Sequence, residues 1–79
     1  MIKGIYVIYD NVQKEASPPH QFNTDDAAKR YFIAGLKDNP SPADYELYSL
    51  GYFDNQSLKD GKYDLRKLDM FDKLEVNNG

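Results

Sequence analysis

The first ten positions are crowded with apolar side chains. Ile2, Ile5, Tyr6, Val7, Ile8 and Tyr9 are β-branched or aromatic, types that suit a pleated surface, so the spacing predicts a strand over residues 2–9. Apolar groups fall on both faces, which reads as a strand covered by a helix on one side and by a partner or ligand on the other. Residues 10–23 then turn polar. Asp10-Asn11 ends the strand, and Ser17-Pro18-Pro19-His20 is stiff because proline fixes φ and restricts the residue before it. This predicts a loop, of a length that often carries function or an interface.

The period changes at Thr24. Ala28, Tyr31, Phe32, Gly35 and Leu36 recur at i, i+3, i+4, i+7 and i+8, one face of a helix, while Lys29, Arg30 and Lys37 lie toward its other side. Thr24 is a good N-cap, Asp25 and Asp26 suit the positive end of the helix dipole, and Asp38-Asn39-Pro40-Ser41-Pro42 ends the helix near residue 37. Residues 45–53 read as a second strand. Strict alternation puts Tyr45, Leu47, Ser49, Gly51 and Phe53 on one face and Tyr48, Leu50 and Tyr52 on the other, with Gly51 marking a bulge or close packing. Asp54 to Gly61 reads as a turn, and Lys62–Leu65 as a short third strand. Leu65, Leu68, Phe71 and Leu74 recur every three residues, so the tail can form a short amphipathic helix before a frayed end at residues 77–79.

The expectation is therefore a single domain over residues 1–76: α+β, two layers, order β-α-β-β. One helix packs on a mainly antiparallel three-stranded sheet that dimerisation can extend. The helix covers one sheet face, and the other, if aromatic, needs a partner. A chain of 79 residues without cysteine has no disulfide to staple it, and eleven aromatics are a heavy load, which points to a homo-oligomer.

Chemistry is scarce. A lone histidine excludes two-histidine metal sites, and the absence of cysteine excludes thiolate-ligated zinc and iron–sulfur clusters. His20 has no nucleophile motif near it and reads as a loop histidine; no phosphate-binding glycine loop exists. Asp54 to Gly61 resembles a calcium loop in composition only, because Gln56 and Leu58 break the ligand spacing. The expectation is a non-enzyme that needs no cofactor. There is no apolar run long enough to span a membrane, and residues 1–10 lack the features of a signal peptide.

Charge divides unevenly. Residues 1–37 carry five basic and four acidic residues, whereas residues 38–79 carry five basic and nine acidic, for a net of −3 over the chain. This balance opposes strong non-specific nucleic-acid binding but allows a local basic patch. Tyr6, Tyr9, Tyr48, Tyr52 and Tyr63 lie on the expected strands and could stack single-stranded bases, with Lys3, Lys29, Arg30 and Lys62 on phosphates. The plainer reading is that the tyrosines fill a core and a dimer interface, since only two arginines are present.

The ordered motifs Ile5-Tyr6…Tyr9-Asp10, Pro18-Pro19…Phe22, Asn39-Pro40, Asp44-Tyr45-Glu46-Leu47-Tyr48 and Leu50-Gly51-Tyr52-Phe53-Asp54 carry a resemblance over roughly residues 1–65. The chain resembles the small nonstructural protein, encoded by the fifth open reading frame, of gokushovirus-type microviruses. His20-Gln21 depart from the aromatics that often precede Phe22 in that family, and the tail after Leu65 departs from it too. The resemblance implies a phage nonstructural protein of the host cytoplasm, described as binding DNA in genome replication or packaging. Tyr6, Tyr48 and Tyr52 would then stack bases of single-stranded DNA, and Lys3, Lys29, Arg30 and Lys62 would hold phosphates. The alternative is a homodimeric protein–protein module that assists virion assembly or regulates the replication initiator, its acidic half meeting a basic phage protein.

Overall fold

The computed structural model describes residues 1–58 and 61–69. It is an α+β domain of one helix and a five-stranded antiparallel sheet. β1 (Ile2–Asp10), β2 (Glu15–Ala16) and β3 (His20–Phe22) precede the helix α1 (Asp25–Leu36). A 3₁₀ turn at Pro42–Asp44 leads into β4 (Tyr45–Asp54), and β5 (Gly61–Leu68) follows. β1 pairs along its whole length with β4, from Ile2 opposite Asp54 to Asp10 opposite Tyr45. β5 lies on the far side of β4. β2 and β3 share the other edge of β1, β3 at Gly4–Tyr6 and β2 at Tyr9–Asp10.

The element order differs from the expected β-α-β-β because residues 10–23 hold two short strands rather than a plain loop. The turn between β1 and β2 has no Asn-Gly or Asp-Gly signal. The Asp10 carboxylate organises it by accepting from the backbone N–H of Val12 (2.9 Å) and of Gln13 (3.1 Å), and Lys14 takes φ +61°. Ser17 fastens the return strand, its Oγ accepting from the Ile8 N–H at 3.0 Å. β5 also runs three residues past Leu65, to Leu68. The expected helix through Phe71 and Leu74, and the frayed end at 77–79, lie outside the described residues.

The helix forms where its pattern predicts, but of the expected apolar face Tyr31 and Gly35 are exposed. Thr24 Oγ1 accepts from the Ala27 N–H at 3.1 Å, and Ala28 and Phe32 are buried against the sheet. The core consists of Tyr6, Ala28, Phe32, Leu47 and Leu68, with Ile8, Phe22, Ile33 and Leu36 packed around it. Full burial of one such aliphatic or aromatic side chain is worth roughly 1.5–3 kcal/mol.

β4 does not alternate strictly. Between the cross-strand pairs at Ser49 and at Gly51, β4 advances two residues, β1 advances one and β5 three. Gly51, at φ +124°, absorbs this irregularity. A Cβ at Gly51 would overlap the Lys62 carbonyl oxygen and sit 2.9 Å from the Asp64 nitrogen, so only glycine lets the two strands close here. The consequence is a change of face. Tyr45, Leu47 and Ser49 share the helix side with Tyr6 and Ile8, but beyond the bulge Phe53 joins Tyr48 and Leu50 on the opposite side, and Tyr52 does not.

Candidate nucleic-acid interface

α1 covers one sheet face. The other, formed by alternate residues of β1, β4 and β5, is covered by no element among the described residues. Cross-strand register places Ile5, Val7 and Tyr9 of β1, Tyr48, Leu50 and Phe53 of β4, and Tyr63, Leu65 and Lys67 of β5 on it. Tyr9 and Tyr48 meet edge to face, with ring centroids 6.4 Å apart. Tyr63 and Leu65 are 74% and 54% exposed. Ile5, Leu50, Phe53 and Tyr63 line a shallow groove of about 510 Å³, bordered by Tyr52 and Lys62, with Pro19 and Gln21 at one end. The walls are mostly apolar, and every ring of this kind offers a flat surface for stacking.

Charges at the rim of this face are largely engaged. Lys67 pairs with Glu46, which also accepts from the Tyr48 hydroxyl. The Lys67 ammonium, together with Asn11, holds the Glu46 carboxyl below its ordinary pKa, and Glu46 in turn raises that of Lys67. Lys3 donates to the Asn23 side chain. Lys62 is exposed beside the groove.

Of the residues expected to bind nucleic acid, the structure brings Tyr48, Tyr52 and Lys62 to this face or its border. It removes Tyr6 from the set. Tyr6 is 3% exposed, lies on the helix side and donates its hydroxyl to Asp25 Oδ1 at 2.6 Å. Burial first, and then this bond, raise its pKa well above the ordinary tyrosine value. A ring sealed in the core cannot stack an incoming base. Lys29 and Arg30 stand on α1, so they lie on the opposite side of the domain from the aromatic face. Lys3 starts from the open side by register but reaches the β3–α1 connection.

Phe53 was not among the expected site residues, and Tyr63 stood only in the wider set of strand tyrosines able to stack bases. Tyr63 was legible as a strand tyrosine sharing parity with Leu65. Phe53 was not, because its face depends on the bulge at Gly51.

The helix side carries a second polar arrangement. Arg66 lies 3.6 Å from Asp25 and 4.0 Å from Asp64, and donates to Ser49 Oγ at 3.3 Å. These groups line a smaller groove, of about 380 Å³, with Tyr6 at its wall. They tie the helix N-terminus to β5 across the sheet. His20, the lone histidine, begins β3 rather than lying in a loop, and its ring packs among Phe22, Tyr31 and Phe32, 2.9 Å from the Pro18 carbonyl. Among the described residues no helix is long and apolar enough to cross a membrane.

Fold and face together define a small α+β domain with one aromatic sheet surface left open. A family model described as Phage ORF5 protein matches residues 3–72. The chain belongs to that phage protein family, in agreement with the resemblance carried by its motifs. No curated protein and no solved structure matches it significantly.

Proposed function

We propose that this phage protein is a non-enzymatic single-stranded DNA-binding protein of the host cytoplasm, acting in genome replication or packaging, and that its open sheet face is the platform. The observation that carries this reading is the antiparallel sheet surface bearing Tyr9, Tyr48, Phe53 and Tyr63, which α1 leaves uncovered. Stacking on such rings tolerates any base sequence, as a protein handling a whole single-stranded genome requires. Lys62 at the groove border supplies a phosphate contact, and Lys67 and Lys3 could do so by releasing their present partners.

A second reading rests on those same partners. A face whose rim cations are already paired suits a protein surface, which favours a module that assists virion assembly or regulates the replication initiator.

Anisotropy of a labelled single-stranded oligonucleotide, titrated at low and near-physiological salt, separates the two. The DNA reading expects binding that weakens steeply with salt. It also expects the Tyr48→Ala/Tyr63→Ala pair to lose about 30-fold or more in affinity, the worth of two stacked bases at ~1–3 kcal/mol each. Absence of binding at low salt, or indifference to the double substitution, would overturn it in favour of the protein surface.

A further inference from the structure

We infer that β5 is a self-association edge, pairing antiparallel with β5 of a second copy about a two-fold axis through Leu65. The edge of β5 away from β4 has no strand partner among the described residues, and Gly61 to Lys67 are all exposed. An open edge of this kind presents unpaired backbone N–H and C=O groups and templates further pairing.

The side chains of this strand select the partner and the register. With Leu65 facing Leu65 of the partner subunit, Asp64 of each copy lies opposite Arg66 of the other, both on the helix side. Tyr63 lies opposite Lys67, both on the open side. The pairs from Tyr63 to Lys67 are then complementary, apolar with apolar, anion with cation, ring with cation, while Lys62 at the end of the ladder meets Leu68 without complementarity. Registers two residues away are repulsive. One sets Asp64 against Asp64 and Lys62 against Arg66, and the other sets Arg66 against Arg66. Registers one residue away pair helix-side with open-side positions and lose the common face. Arg66 is prepared for the role: it is half-exposed and already held by Asp25 and Ser49.

A two-fold axis perpendicular to the sheet keeps both open faces on the same side. The dimer is one continuous sheet with the two aromatic surfaces side by side. If the DNA reading of that surface holds, pairing doubles the length of strand it can engage; the dimer itself does not depend on that reading.

The test needs no DNA. The chain has no cysteine, so a single introduced one reports one position. Leu65→Cys places two thiols on the axis, where directly opposed Cα atoms lie about 4.5–5.5 Å apart, within disulfide reach, and mild oxidation is expected to give a covalent dimer. Tyr63→Cys places them about 13 Å apart and is expected to remain unlinked. Asp64→Arg and Arg66→Asp should each weaken self-association by about tenfold or more in sedimentation equilibrium, and an equimolar mixture of the two should form the heterodimer. Circular dichroism on each variant checks folding. A monomeric wild type at every concentration, equal cross-linking at positions 63 and 65, or no heterodimer from two folded variants would each overturn the proposal.

Discussion

Replacing Gly51 by alanine tests the account of the sheet most directly. The residue sits at φ +124°, a conformation that costs a side-chain-bearing residue about 1–3 kcal/mol. The added Cβ would also overlap the Lys62 carbonyl oxygen, and this obstacle is backbone, which cannot rotate away. Relief requires β4 and β5 to part near the Gly51–Tyr63 and Tyr52–Lys62 pairs. Losing two ladder hydrogen bonds there adds about 1–3 kcal/mol at the usual net worth of each. The sum, about 2–6 kcal/mol, is a large part of the ~4–12 kcal/mol expected for a domain of this length. Urea unfolding at 25 °C gives the difference, and thermal unfolding is expected to fall by about 10 °C or more. Gly35→Ala is the control. A Cβ there meets nothing, and alanine in an exposed helix position should stabilise by about 0.5–1 kcal/mol. If Gly51→Ala unfolds within 1 kcal/mol of the wild type, the face-switching bulge is not the constraint described above.

Three further outcomes follow from the packing and the charges. Phe32→Ala empties the centre of the aromatic cluster with His20, Phe22 and Tyr31, and should cost about 3–5 kcal/mol in denaturant unfolding. Tyr6→Phe removes only the hydroxyl bonded to Asp25, which keeps Arg66 nearby, so a loss of about 1–2 kcal/mol is expected from the same measurement. The Asp54 carboxyl is lowered from 3.8 to about 2, chiefly by the Gln56 N–H and then by the terminal ammonium of Met1. A depressed carboxyl stabilises the fold above its unfolded pKa, and this contribution fades as pH falls from about 4 to 2. Asp54→Asn should therefore show a shallower loss of thermal stability over that window than the wild type.

The helix was the most legible element, because its cap, its period and its stop signal agree with one another. The two long strands were legible from their residue types. Residues 10–23 were not, since the turn there depends on one aspartate side chain and a positive φ at Lys14 rather than on glycine. The candidate site was half legible. Aromatic strands imply a surface, but which rings occupy it turns on parity. Parity in β4 fails at Gly51, a shift visible only once both neighbouring strands are in register. Tyr6 and Tyr9 look interchangeable in the sequence. They stand three positions apart, an odd step, so one seals the core and the other faces out.

The pairing of β1 with β4 also bears on how fast the domain can assemble. These two strands are neighbours over their whole length, yet residues 11–44 lie between them. The centre of the sheet therefore cannot form by zipping a local hairpin, and the chain must first close a long loop that includes the helix. Topologies rich in such distant contacts fold slowly compared with helical bundles of similar stability. Until β4 arrives, β1 has only the short β2 and β3 to shield its apolar side chains. The prolonged exposure of Tyr6, Val7 and Ile8, which the folded domain packs away, makes the interval before closure the period of greatest risk from aggregation.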